Sequence, residues 1–191
     1  MTAPHPPPLA STLTNVLNPF FIFTALFALV AFSESPASDA LLYLAVELLA
    51  AAVVAAYVLL MRRRRRVGGF WIPARAERLA PAIFLLAAFI GLLAALWLFD
   101  APVVLFRTTL SMGLAAAIVA AVTLFWKASA HAAVAGHSAV AGPLILGPLG
   151  FVFVLALPLV LYARVGPWAH TLLQALAGTA IGAAFAVLFL I

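Results

Sequence analysis

An all-α, polytopic transmembrane helix bundle is the fold this sequence predicts, and three observations predict it. Of its 191 residues 68% are hydrophobic and only 8% charged, against about half and a quarter in a soluble domain. The apolar residues come in long Ala/Leu/Val/Phe runs, with none of the strand-like alternation of apolar and polar positions. Short polar clusters separate these runs at intervals suited to bilayer crossings. Such a chain lacks the polar groups to cover a surface in water. In lipid the demand shifts to internal pairing of every backbone group, which helices satisfy.

A transmembrane helix needs about 20 apolar residues. Residues 1–16 contain Pro4, Pro6, Pro7 and Pro8 and no Lys or Arg ahead of an apolar core. They lack the signal-peptide pattern and are expected to form a mobile or surface-lying tail. Residues 17–191 are expected to form one transmembrane domain. Its first span is residues 17–32, ended by the polar turn Ser33, Glu34, Ser35, Pro36. The second is residues 40–61 and contains Glu47, an intramembrane carboxyl expected to be protonated or paired with Arg or His from another helix. A basic loop follows at 62–80. The third span is 81–99, stopped by Asp100 and Pro102, and the fourth is 103–126, stopped by Lys127.

Residues 131–163 carry no charge. As one helix they would reach roughly 50 Å, too long for one crossing. Gly147, Pro148 and Gly150 mark a turn near the middle, so two short helices are expected, 131–146 and 151–162. The last span is 170–191. The total is about seven spans, or six if 131–163 forms one broken unit.

Five of the ten cations form one run at 62–66. Beside a span, such a run is a topology signal and a lipid-headgroup contact rather than a nucleic-acid footprint. The positive-inside rule places it, and by parity the N-terminus, in the cytoplasm. Counting onward, even numbers of spans bring residues 62–78, Lys127 to His131, and Arg164 to His170 to the same face. The opposite loops hold Glu34, Asp39 and Asp100 but no Lys or Arg. Trp71, Trp126 and Trp168 fall at inner boundaries and Trp97 at an outer one, as in an aromatic belt. Gly178 and Gly182 form a small-xxx-small pair in the last span. Cysteine is absent, which excludes disulfides and thiolate metal sites. No metal or other cofactor is expected, because the histidines have no carboxylate at ligand spacing.

Two clusters suit phosphate chemistry. Lys127, Ser129 and His131 lie within five residues at a helix start. Arg164 precedes His170, and Gln174 follows His170 by four residues on the same helical face. His170 begins the last span, where unpaired backbone N–H groups favour anions. His137, six residues past His131, points to another face and is expected to make a structural hydrogen bond.

The spacing resembles the type 2 phosphatidic acid phosphatase superfamily. Its second motif, Ser-Gly-His, appears as Ser129-Ala130-His131. Its third, Ser-Arg, five residues, His, three residues, Asp, appears as Ala163-Arg164, His170 and Gln174. The nearest counterpart of its first motif is Arg75-Ala76-Glu77-Arg78-Leu79-Ala80-Pro81. The likeness runs over residues 72–182.

The resemblance implies a phosphatase-like membrane protein acting on a lipid phosphate or prenyl diphosphate at the cytoplasmic face, in a bacterial inner membrane. In that scheme His170 attacks phosphorus and His131 protonates the leaving oxygen. Arg164, with Arg78, Arg75 or Lys127, holds the phosphate oxygens, and Ser129 donates to one of them. Gln174 stands where the family has the aspartate that orients the nucleophile. It can accept a hydrogen bond from His170 but brings no negative charge. With the eroded first motif, this departure points to an alternative: a non-catalytic member of the same fold, serving as a structural subunit of a larger bacterial membrane complex, for example a photosynthetic or energy-transducing one. Membrane lipids are partners in either case, with other membrane subunits in the second. The two proline-broken helices and Glu47 also fit a transporter, a third and thinner reading.

Overall fold

The structure is a computed structural model that describes residues 6–69 and 77–191. Eight helices make up nearly all of the described chain: α1 (Pro8–Val16), α2 (Pro19–Glu34), α3 (Ala37–Arg63), α4 (Leu79–Leu98), α5 (Val103–Thr123), α6 (Ala130–Leu146), α7 (Phe151–Arg164) and α8 (Leu172–Leu190). No strand occurs among the described residues beyond an isolated bridge between Val165 and His170. Six stretches are long and apolar enough to cross a membrane, and the fifth, Ala130–Arg164, contains both α6 and α7. The chain is a multi-pass membrane protein.

The helix boundaries follow from local chemistry. Asn18 caps α2, its side-chain oxygen accepting from the Phe21 N–H at 3.0 Å, and Pro19 supplies a preset φ at the first helical position. In α3, Asp39 sits in the first turn and Arg62 and Arg63 in the last, each matched in sign to its end of the helix dipole. The Ser129 hydroxyl accepts from the Ala132 N–H to start α6. Gly147, at φ +57°, ends α6, and the 3-10 turn Gly147–Gly150 leads into α7.

The α6–α7 stretch is a hairpin. His131 at the start of α6 and Arg164 at the end of α7 line the same cavity, so the helices run antiparallel. Neither the 17 residues of α6 nor the 14 of α7, at about 1.5 Å each, matches the roughly 30 Å hydrocarbon core. Residues 130–164 therefore form the two short helices expected there, and this one of the six membrane-length stretches returns to the end of the bundle from which it starts.

Helix α6 is the hub, packing on α2, α5, α7 and α8. Its buried residues are Ala, Gly, Ser and His, small enough for close approach of neighbouring backbones. The main apolar core lies on one side of it, where Ile22, Phe23, Leu26, Phe27 and Val30 of α2 meet Leu92, Leu96, Leu105, Met112 and Phe153. Outside, large apolar side chains stand bare: Leu49 is 65% exposed, Ile90 69%, Leu155 71% and Leu188 73%. Distributed round the bundle, this is the surface a lipid-facing protein presents.

The structure sharpens three expectations. Residues 8–16 of the expected mobile or surface-lying tail form a helix, with Pro8 at its first position, which packs on α7 and buries Ala10 and Thr14, residues four apart on one face. Helix α8 begins at Leu172, not His170, because Thr171 is the cap residue. Of the two alternatives for Glu47, no Arg or His pairs with it among the described residues; the Thr24 hydroxyl donates to its Oε1 at 2.8 Å. Trp71 and Arg75 lie outside the described residues.

Candidate functional site

The Arg-x5-His spacing acquires its meaning from a short closed loop between α7 and α8. The His170 N–H donates to the Arg164 carbonyl at 3.1 Å and the Gly166 N–H to the His170 carbonyl at 2.9 Å. These bonds fix the two side chains side by side. Gly166 has φ +157°, and a Cβ there would run into the Trp168 ring at 2.5 Å, so this turn requires glycine. Trp168 in turn donates from Nε1 to the Ala163 carbonyl at 3.4 Å. The Lys127 ammonium donates to the Ala169 carbonyl at 2.6 Å and ties the loop to the segment before α6. The Ser129 N–H adds a bond to the Gln174 carbonyl at 3.2 Å.

The result is a cavity of about 480 Å³ between α2, α3, α4, α5 and α6. Its walls are apolar along most of their length. At one end Arg78, His131, Arg164 and His170 face the same space. His131 and His170 are buried, at 6% and 4% exposure, so they are elements of an interior site rather than interfacial anchors. Among the described residues, Arg164 Nε and His170 Nδ1 are buried without a hydrogen-bond partner.

The electrostatics of this end are cationic. Burial and the nearby Arg164, Lys127 and Arg78 push the His170 imidazole down to about 3. His170 is therefore neutral near pH 7, with a ring lone pair free of a proton. Burial, then Arg78 and Arg164, lowers Lys127, and burial lowers Arg78. An anion entering this space relieves the mutual repulsion and shares the cost of desolvation.

Not every expected site residue reaches the cavity. Arg78, His131, Arg164 and His170 do. Lys127 is turned to the Ala169 carbonyl and acts on the site through space. The Ser129 hydroxyl accepts the α6 cap bond and does not line the cavity. Gln174 Oε1 accepts from the Thr171 N–H at 3.1 Å while the Thr171 hydroxyl accepts from the Gln174 N–H at 3.3 Å, a capping box. A residue placed to orient a nucleophile is thus engaged in starting α8. His137 is the structural residue it was expected to be: its Nε2 lies 2.7 Å from Ser111 Oγ, joining α6 to α5. Sequence reasoning missed the Glu47–Thr24 pair at the opposite end of the cavity, although a carboxyl in mid-span was the signal for it. No three His, Cys, Asp or Glu among the described residues are grouped to hold a metal.

Comparison with known proteins finds no matching family, no matching curated protein and no matching solved structure.

Proposed function

We propose that this chain is a membrane-embedded phosphatase of the type 2 phosphatidic acid phosphatase kind, cleaving a lipid phosphate or prenyl diphosphate at the cytoplasmic face. The observation that carries the reading is the cavity's polarity: an apolar chamber with Arg78, His131, Arg164 and His170 together at one end. The chamber accepts a hydrocarbon tail and the cationic end a phosphate. The exposed arginines 62–66, at the end of α3, support a cytoplasmic orientation for the same end.

In this reading a ring nitrogen of neutral His170 forms a bond to phosphorus as the bond to the lipid oxygen breaks. His131 gives a proton to that leaving oxygen. Water then attacks the phospho-histidine, returning its proton to His131, and the N–P bond breaks to release inorganic phosphate. Arg164 and Arg78 hold the equatorial oxygens as charge shifts in the transition state. The test is phosphate release by the purified protein in detergent. His170→Ala should reduce turnover to background, and Arg164→Ala should cost about 10²–10³-fold. Undiminished turnover in His170→Ala would remove the mechanism.

One observation favours a second reading, a non-catalytic structural subunit on the same scaffold. Gln174 is committed to the α8 cap, and His170 Nδ1 has no acceptor among the described residues to fix its tautomer. The same assay separates the two: an active, monodisperse protein supports the phosphatase, whereas an inactive protein that copurifies with other membrane subunits at fixed stoichiometry supports the subunit.

A further inference from the structure

A second, smaller cavity of about 130 Å³ adjoins Arg164, with room for several waters. Ser11, Thr14 and Asn15 line it from α1, and Arg164, Trp168 and Ala169 line it from the end of α7 and the loop that follows. Of the described residues lining the two cavities, Arg164 alone is common to both. Ser11 and Asn15 are exposed, so the smaller cavity reaches the surface. The Lys127 ammonium, which donates to the Ala169 carbonyl at 2.6 Å, brings a second positive charge to this wall.

The orientation of α1 is an independent observation. Ser11, Thr14 and Asn15 are spaced three and four apart and share one helical face. That polar face lines the cavity beside Arg164, whereas Leu9 and Val16 are 58% and 59% exposed. A helix serving only to cover the end of α7 would gain more by burying its large apolar side chains there. The main chamber is a poor route for an ion, because its walls are apolar along most of their length and a hydrocarbon tail would fill it. We propose that the smaller cavity is the passage by which inorganic phosphate and water exchange between solution and the cationic end, with Arg164 as the contact common to both spaces. The ion passes hydroxyl and amide groups able to hydrogen-bond to it, while the tail still occupies the chamber. The proposal rests on the phosphate-binding reading of the cationic end.

The test uses the absence of cysteine from the chain. In Ser11→Cys the full-length protein carries a single thiol, which benzyl methanethiosulfonate converts to a bulky plug in the smaller cavity. Thr12→Cys, at an exposed position outside the lining, is the labelling control. Binding of inorganic phosphate in detergent is followed by stopped-flow tryptophan fluorescence for the rates and by equilibrium dialysis for Kd. A passage sets how fast the ion arrives and leaves, whereas the bound state sets Kd. Labelled Ser11→Cys should therefore slow association and dissociation alike, by about tenfold or more, with Kd held within about twofold. Labelled Thr12→Cys should keep the wild-type rates. Asn15→Cys, on the same face, replaces Ser11→Cys if that variant does not fold. Unchanged rates in the plugged protein, equal slowing in the control, or a weakened Kd with faster dissociation would overturn the passage and leave the phosphate site standing. Failure of the wild type to bind phosphate would remove the site and this inference with it.

Discussion

The contact between α6 and α8 sets the distance between the two histidines, and one methyl group is enough to disturb it. Gly178 and Gly182 of α8 lie directly on the α6 backbone: a Cβ at Gly182 would overlap the Ala133 carbonyl oxygen, and one at Gly178 the Ser129 carbonyl oxygen. On the facing helix, a Cβ at Gly136 would sit 2.5 Å from the Thr179 carbonyl oxygen, about 1 Å inside ordinary contact. The obstructing atoms are backbone, so no rotamer change relieves the clash and the helices must separate. Overpacking of this kind costs about 1–3 kcal/mol. Gly91, in α4, is the internal control, since an added Cβ there meets nothing within 4 Å. Gly91→Ala should gain up to about 1 kcal/mol in helix propensity.

Thermal unfolding in detergent, followed by tryptophan fluorescence, reads the difference directly. At about 2–4 °C per kcal/mol for a chain of this size, Gly182→Ala should melt several degrees below Gly91→Ala. Separation of the helices would also stretch the Ser129 N–H bond to the Gln174 carbonyl and draw His131 away from His170, so phosphate binding should weaken in Gly182→Ala and not in Gly91→Ala. Equal melting of the two variants would refute the claim that backbone contact, rather than generic apolar burial, holds α6 to α8.

Two further predictions concern the loop and cap beside the site. His170 is held at about 3 in the folded protein by burial and by Arg164, Lys127 and Arg78, whereas an unfolded histidine takes up its proton near 6.5. Between these values the unfolded state binds more protons, so stability rises with pH; lowering the pH from about 6.5 to about 5 should cost at most about 2 kcal/mol, and a His170→Gln variant should flatten that part of the melting-versus-pH curve. Thr171→Ala removes the hydroxyl that accepts from the Gln174 N–H and should cost about 1 kcal/mol; an unchanged melting temperature would show that the cap does not contribute.

Much of the fold was legible because lipid simplifies the problem. When every crossing must be helical, the length of an apolar run and the polar cluster that ends it nearly define an element. The expected span at 103–126 became Val103–Thr123 and the expected pair at 131–146 and 151–162 became Ala130–Leu146 and Phe151–Arg164. The ends of helices were less legible. His170 fell outside α8 because the Thr171 and Gln174 side chains close a box that a hydropathy reading does not register. The N-terminal helix was hidden by its prolines, which read as disorder until Pro8 is seen at a first helical position.

The candidate site divides along the same line. Parity counting alone brought Arg78, Lys127, His131, Arg164 and His170 to one end of the bundle, since the number of crossings between polar clusters is a property of the chain. Which of them turn inward was decided by packing. Lys127 and Ser129 found backbone partners nearby, whereas Arg78, His131, Arg164 and His170 were left facing an apolar chamber. The chamber itself, and Glu47 with Thr24 at its far end, exist only because α2, α3, α4 and α5 stand apart around a space that their sequences do not encode separately. Hydropathy is additive along a chain, but a cavity is a property of several surfaces meeting, and only the assembled bundle fixes it.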